Sequence, residues 1–283
     1  MDWTIRSLLA WSYGFLDKNG SESPRIDAEL LLAFCLSIRR IDLYLDMDRP
    51  MDSEELGSYR NLIKRRAEGE PVAYILGQKG FYGRSFLVNP HVLIPRPETE
   101  ILVERAIDLA PMGGKILEVG VGSGAVIISI LKERQDLKGI GSDICLDAIR
   151  VTRDNAMKHG VKERLMLFVG DLATALNAQF DLIVINPPYV GLRDRAIMDK
   201  GVLDYEPENA LFAGTDGLDI IKRVIVEIPL CMNPGAQCVM EAGYDQAEGI
   251  EAIVKDAHGV VISSWERDLS GIKRAVSLER TNG

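Results

Sequence analysis

The segment Phe180-Asp-Leu-Ile-Val-Ile-Asn186-Pro187-Pro188-Tyr189 is an apolar run that stops at an amide, two prolines and an aromatic. Proline has no N–H and a fixed φ, so this loop holds its acceptors on a rigid backbone, chiefly the Asn186 side-chain oxygen and the Pro187 carbonyl. A planar amine or amide nitrogen has a delocalised lone pair and is a poor nucleophile until it is oriented. Two acceptors for its two hydrogens would turn that nitrogen toward an electrophile, and Tyr189 can stack on or enclose the planar group. A purely structural turn after a buried strand is the competing reading.

A second constellation lies upstream, where Lys115-Ile-Leu-Glu-Val119 runs into Gly120-Val121-Gly122-Ser123-Gly124 and then the apolar stretch Ala125 to Leu131. Glycines in a strand-to-helix turn let a ligand approach the backbone, because no side chain covers it. About 20 residues further on, Asp143 ends the next strand, where a carboxylate can accept hydrogen bonds from ribose hydroxyls. Together they suggest a nucleoside site. Asp171 closes a third strand at the same edge and can meet an adenine amino group, or it is simply a turn or N-cap aspartate. Gly120, Gly122 and Ala125 also satisfy a loose dinucleotide fingerprint, so the glycine turn alone does not choose between ligands.

The elements that must position these groups can be read from hydrophobic periodicity. From Glu98 onward, helical and strand-like stretches alternate: a helix over Thr99 to Ala110, then strands at Lys115 to Val119, Gly139 to Ile144, Leu165 to Gly170 and Phe180 to Ile185. Further strands are expected at Gln237 to Glu241, Val260 to Trp265 and Arg274 to Leu278. Such alternation predicts an α/β fold with a largely parallel, doubly wound sheet, whose ligands sit beyond the carboxyl ends of the strands. The first 75 residues read instead as helices. Ile5, Leu8, Leu9, Ser12, Phe15 and Leu16 recur at helical spacing, and Ser23-Pro24 has the form of an N-cap followed by a first-turn proline. A second helix is expected from Ala28 to Leu36. Asp52 and Glu55 have capping-box spacing ahead of a third helix, with Lys64, Arg65 and Arg66 near its C-terminal end. The expected organisation is a helical domain over 1–75, a hairpin or linker over 76–97 and an α/β domain over 98–283.

Taken in order, Glu118 to Gly124, Asp143, Asp171 and Asn186-Pro187-Pro188-Tyr189 resemble the class I S-adenosylmethionine-dependent methyltransferases that modify planar nitrogens. Ile94-Pro-Arg96-Pro-Glu98-Thr99-Glu100, Tyr205-Glu-Pro207, Glu241-Ala-Gly243-Tyr244 and Asp268-Leu-Ser-Gly271-Ile-Lys-Arg274 narrow the resemblance to the peptide-chain release factor glutamine methyltransferases, over essentially the whole chain. The resemblance implies a Rossmann-like sheet with a small N-terminal helical domain. It implies methyl transfer from S-adenosylmethionine to the glutamine amide of a Gly-Gly-Gln motif in a bacterial release factor, leaving S-adenosylhomocysteine. By the same resemblance, Gly120, Val121, Gly122, Ser123 and Gly124 hold the methionine part of the donor and Asp143 its ribose. Asp171 and Leu172 lie at the adenine, and Asn186, Pro187, Pro188 and Tyr189 hold the glutamine, with Asn186 also bordering the donor. Asn186, Pro187 and Tyr189 would carry catalysis. Glu118 stands where many relatives have Asp, and Leu172 stands where some carry an aromatic, which would weaken stacking on the adenine. Arg96 and Glu98 either shape the site or anchor the inter-domain segment through a salt bridge.

Composition narrows the alternatives. A net charge of −9 repels a phosphate backbone, which counts against a DNA adenine or RNA guanine methyltransferase, although such enzymes also use an Asn-Pro-Pro-aromatic loop. The short basic clusters Arg39-Arg40 and Lys64-Arg65-Arg66 carry no function alone. A methyltransferase acting on another protein glutamine, such as one in a ribosomal protein, would have almost the same motifs. A nicotinamide-dependent dehydrogenase leaves the Asn-Pro-Pro-Tyr loop unexplained, and a noncatalytic nucleoside-binding scaffold is the remaining alternative. Cys35, Cys145, Cys231 and Cys238 have no Cys-x-x-Cys spacing, and His91, His159 and His258 are scattered, so no metal is expected. The chain start lacks a basic leader, and no apolar run approaches the roughly 20 residues of a membrane span. A cytoplasmic monomer acting on release factors, without direct nucleic-acid or membrane contact, is the expectation.

Overall fold

The computed structural model of the protein describes residues 3–172, 178–268 and 270–281. Its contacts divide into two compact units: Met1–Gln78 with Asp199–Tyr205, and Lys79–Met198 with Glu206–Gly283. The return of 199–205 to the first unit is something a linear reading of the chain could not assign. Leu269, within the late Asp268 to Arg274 motif, lies outside the described residues.

The first unit contains helices α1 (Ile5–Lys18), α2 (Pro24–Cys35), α3 (Ser53–Ala67) and α4 (Val72–Leu76), with a 3-10 segment at Arg40–Leu45 and a short helix at Lys200–Tyr205. Ile5, Leu8, Leu9, Ser12 and Leu16 form the buried face of α1, as their spacing requires. Asp52 caps α3 by accepting from the Glu54 and Glu55 backbone N–H groups, and Glu55 returns the bond to the Asp52 N–H. The expected cap on α2 differs. Pro24 does sit at the first helical position, but the Ser23 side chain makes no capping hydrogen bond. Ser21 uses its hydroxyl nearby instead, donating to Asp27 at 2.7 Å, and Arg66 reaches the same Asp27 oxygen at 2.7 Å. Every member of the two basic clusters has a carboxylate partner: Arg39 with Asp42, Arg40 with Glu29, Lys64 with Glu68, Arg65 with Glu70 and Arg66 with Asp27.

The hairpin of β1 (Gln78–Phe81) and β2 (Arg84–Leu87) follows. Tyr82 and Gly83 at its tip both have positive φ, the backbone of a tight two-residue turn that matches strand twist. The second unit then builds a seven-stranded sheet from β3 (Lys115–Val119), β4 (Lys138–Asp143), β5 (Leu165–Val169), β6 (Phe180–Ile185), β7 (Met232–Glu241), β8 (Val260–Arg267) and β9 (Lys273–Arg280). Its order is β5-β4-β3-β6-β7-β9-β8. The first five strands in that order run parallel, and β9 is antiparallel to both β7 and β8. The helices interspersed with these strands along the chain are α5 (Glu100–Leu109), α6 (Ala125–Glu133), α7 (Leu146–Lys158), α8 (Lys200–Tyr205, which belongs to the first unit), α9 (Asp219–Glu227) and α10 (Ala247–Asp256). β7 starts at Met232, earlier than the expected Gln237, because Pro234-Gly235 is absorbed into a bulged stretch where the pairing with β6 slips.

The two faces of this sheet have separate cores. On one, Ile116, Leu182 and Val184 pack with Leu102, Val103 and Ala106 of α5 and with Ile127 and Leu131 of α6. On the other, Leu117, Val119, Ile183 and Ile185 pack with Ile221 and Val224 of α9 and Ile250 of α10. Burial on both faces explains why β3 and β6 are mainly apolar and do not alternate; after the first position their polar residues are Glu118, which takes the Ile127 N–H, and Asp181, which takes the Lys115 N–H. Among the described residues, no helix is long and apolar enough to cross a membrane.

Candidate active site

Strand order reverses between β3 and β6, since β4 and β5 lie on one side of β3 while β7 lies on the far side of β6. The loops leaving the two strands therefore separate and open a crevice at their carboxyl ends, the usual ligand position in such sheets. Val119 pairs with Ile185, so the glycine turn and Asn186 leave the sheet at the same level. A Cβ built on Gly120 would lie 3.9 Å from the Asn186 carbonyl oxygen. The crevice deepens into a cavity of about 1140 Å³ including its mouth.

On one side of this cavity the chain presents backbone. Gly120 and Gly122 have φ of 74° and 52°, so the turn bends in the left-handed region without side chains over it. Asp143, at the end of β4, stabilises that bend: one carboxylate oxygen accepts from the Gly122 N–H and the other from the Cys145 N–H, both at 2.9 Å. Burial nevertheless raises the Asp143 pKa, with these backbone bonds opposing it. Gly124 is the N-cap of α6 and has no side chain to cap it. Glu118 supplies the missing acceptor from the end of β3, taking the Ile127 N–H at 2.9 Å. Complete burial holds the Glu118 pKa well above the usual carboxylate range, even against that hydrogen bond.

The opposite side is assembled from side chains of separate segments. Asn186 donates from Nδ2 to the Thr99 hydroxyl oxygen at 3.3 Å. Tyr189 does not line the cavity; its hydroxyl donates to Glu241 Oε1 at 3.1 Å, and burial raises its pKa. The loop beyond the prolines is held from behind by Gln246, which donates to the Tyr189 carbonyl at 2.9 Å and to that of Gly217 at 3.2 Å. Arg96 lies on the wall but is anchored, donating to the buried Glu206 at 2.7 Å, while the other Glu206 oxygen takes the Ile94 N–H. Glu98 is exposed and off the wall.

Of the residues singled out from the sequence, the wall carries Gly120 to Ser123, Asp143, Asp171, Leu172 and Asn186 to Pro188. Gly124 sits behind it, where a Cβ would collide with Thr152 and Ile128. Asp171 is also paired with Arg223 at 2.9 Å, and Leu172 has φ of 50° with its carbonyl accepting from the Ser142 hydroxyl. Sequence reading gave no role to Thr99, Glu206, Glu241 or Gln246. Nothing in their neighbours marks them: Thr99 stands between two glutamates and Gln246 follows Asp245, and the burial of all four is visible only in the folded chain.

A glycine turn with an acid on the next strand, facing an Asn-Pro-Pro loop across the switch point of a doubly wound sheet, defines the class I methyltransferases, whose methyl donor is S-adenosylmethionine. Residues 97–200 match the methyltransferase small domain model and residues 7–77 match the PrmC N-terminal domain model. A methyltransferase structure from Pyrococcus furiosus, at 15% identity, shares the fold with a TM-score of 0.54, covering 78% of this chain and 99% of that one. A protein from Geobacter sulfurreducens named release factor glutamine methyltransferase is 39% identical over 275 residues, covering 97% of this chain and 96% of that protein. One of the same name from Koribacter versatilis is 39% identical over 277 residues, covering 96% and 97%. The chain belongs to the release factor glutamine methyltransferase family.

Proposed function

We propose that this enzyme transfers a methyl group from S-adenosylmethionine to the side-chain amide nitrogen of the glutamine in the Gly-Gly-Gln motif of a peptide-chain release factor. The observation that carries this reading is that the glycine turn and the Asn186-Pro187-Pro188 acceptors line one cavity, at neighbouring strand ends. The residues fit the donor: Gly120 and Gly122 leave the backbone open, and Asp143 accepts from the Gly122, Ile144 and Cys145 N–H groups while the two oxygens of a carboxylate carry roughly four acceptor positions, which leaves capacity for a ribose hydroxyl. Asp171 and Leu172 border the adenine end. When bound, the donor supplies an electrophilic methyl on a positively charged sulfur.

The chain's own contribution is placement. Asn186 Oδ1 and the Pro187 carbonyl accept the two glutamine amide hydrogens and turn the nitrogen toward the methyl, while the prolines keep this loop from relaxing. The amide nitrogen then attacks in line, the carbon–sulfur bond breaks, and the nitrogen loses one proton during or after transfer. No covalent enzyme intermediate is needed.

The helical unit is assigned to recognition of the release factor, because a methyltransferase core holds its small donor without such a unit. Its 3-10 segment carries Ile41 and Leu45 at 61% and 79% exposure, apolar groups suited to a protein partner. Incubation of a purified bacterial release factor with enzyme and donor, followed by peptide mass spectrometry, tests the activity. One added methyl on the Gly-Gly-Gln glutamine is expected; methylation elsewhere, or of nucleic acid alone, refutes the substrate. Replacing Ile41 and Leu45 by serine should raise KM for the intact release factor and leave a short Gly-Gly-Gln peptide unaffected.

A further inference from the structure

An asparagine side chain can present either its oxygen or its NH2 group to a ligand, and only the oxygen can accept from a substrate amide. In this protein the choice depends on residues that do not themselves need to touch the acceptor. Asn186 Nδ2 donates to Thr99 Oγ1 at 3.3 Å, so its Oδ1 is the end left for the cavity. Thr99 is itself buried at the N-cap of α5, where its side chain makes no capping hydrogen bond, and it is near enough to Glu241 at the end of β7 to lower that carboxyl's pKa. Glu241 is 3% exposed. Its Oε1 accepts from the Tyr189 hydroxyl at 3.1 Å, and its Oε2 is buried with no well-formed hydrogen bond among the described residues.

We propose that Glu241 and Thr99 are positioning residues that set the polarity of a hydrogen-bond chain, Asn186 Nδ2 to Thr99 Oγ1 to the Glu241 carboxylate, and thereby hold Asn186 Oδ1 toward the acceptor amide. This rests on the reading of Asn186 as the acceptor-binding group. Donors and acceptors must match in number along the chain. An ionised carboxylate can only accept, so both Tyr189 and Thr99 must aim their single hydroxyl hydrogens at Glu241. Thr99 then has only lone pairs to offer Asn186, and Asn186 must meet it with NH2. Donation from Nδ2 also polarises the amide and makes Oδ1 the better acceptor. A protonated Glu241 removes the constraint: it can donate to Thr99, whose hydrogen is then free to meet Asn186 Oδ1, and the amide can flip. The flipped amide would set NH2 against the glutamine NH2, a donor facing donors.

The same count makes acceptor positioning pH-dependent. Burial pushes Glu241 up to about 7; the nearby Thr99 and Tyr189 hydroxyls pull it down, Glu98 raises it and Arg274 lowers it. On its β9 side Glu241 pairs with Ala275, which carries no charge. The chain is therefore fully polarised above neutrality and loosens as pH falls through that value.

The test measures kcat, acceptor KM and donor affinity from about pH 6 to 9 with a purified release factor, for the full-length wild type, Thr99→Val, Thr99→Ser, Glu241→Gln and Asn186→Ala. Thr99→Val should lower kcat roughly 10-fold at alkaline pH with donor affinity changed by less than about 2-fold, and Thr99→Ser should restore it. Glu241→Gln, nearly isosteric, should lower kcat at alkaline pH and lose the inflection near neutrality that the wild type shows. Wild-type kcat and an unchanged inflection in Thr99→Val and Glu241→Gln, alongside an inactive Asn186→Ala, overturn the polarity chain while leaving the role of Asn186 intact. Normal turnover in Asn186→Ala overturns the reading of Asn186 and the chain with it. A fall in kcat matched by an equal fall in donor affinity, without rescue by serine, shows a merely structural role and also overturns the proposal.

Discussion

The two sides of the cavity are built on different principles. The side proposed to hold the donor is a contiguous turn, Gly120 to Gly124, whose shape comes from backbone conformation and from one acid, Asp143, that ties it down. The side proposed to take the acceptor gathers Thr99, Asn186 and Glu241 from three distant stretches of chain, and its proposed chemistry depends on which way side-chain dipoles point. The contrast follows the ligands. A nucleoside with many polar groups can be held by a shaped backbone and a carboxylate, whereas one amide nitrogen must be oriented to within a hydrogen bond. The donor side should therefore fail in affinity and the acceptor side in rate.

The largest effect should come from Asn186→Ala, which removes the group proposed to orient the nucleophile. Single-turnover methylation at saturating release factor should fall by about 100-fold or more, with donor affinity by calorimetry nearly unchanged. A large loss of donor affinity instead would erase the distinction between the two sides.

Next is the stability consequence of burying Glu241. Its pKa rises from 4.5 to about 7 on folding, so the folded state favours the protonated form. The resulting stabilisation is present below pH 4.5 and is lost as pH rises to about 7, a change of roughly 3 kcal/mol. Denaturant melts of wild type and Glu241→Gln, compared across that window, should diverge in this direction. Glu118, also raised by burial, contributes to both proteins and cancels in the difference. A pH-independent difference would mean that Glu241 does not titrate there.

Asp143→Ala should weaken donor binding by roughly 1.5–3 kcal/mol, through lost hydrogen bonds to ribose and a loosened glycine turn. Unchanged affinity by calorimetry would remove Asp143 from the donor site. The smallest effect is expected in the helical unit, where Asp52→Ala deletes the α3 cap. Stability should drop by about 1 kcal/mol in thermal melts, with donor affinity and single-turnover rate unaltered. A change in either site parameter would show that the contrast between the two sides is confounded by general destabilisation.

Much of this could be read in the chain before its fold. The strands Lys115 to Val119 and Phe180 to Ile185 have the same bounds in the sequence and in the structure, because strands buried on both faces are mainly apolar and end at punctuation. The α3 capping box was equally plain, since its two partners lie three residues apart. Ser23 shows where such local signals stop. Its type and place suit a cap, yet Ser21, Asp27 and Arg66 take up the nearby polar interactions, two of them by contacts that the local sequence does not encode.

The residues of the site divide in the same way. Glycine, proline, asparagine and aspartate at fixed offsets announce themselves, because turn conformation and acceptor chemistry are properties of short segments. The sequence by itself therefore determined the doubly wound order of elements, the glycine turn with Asp143, and the Asn186 to Tyr189 loop. Only the tertiary structure decided that Arg96 is bound to Glu206, that Tyr189 turns its hydroxyl to Glu241, and that Thr99 meets Asn186. Those pairings join residues far apart in the chain, and burial makes each unpaired polar group costly, so their partners are selected by packing and not by local pattern.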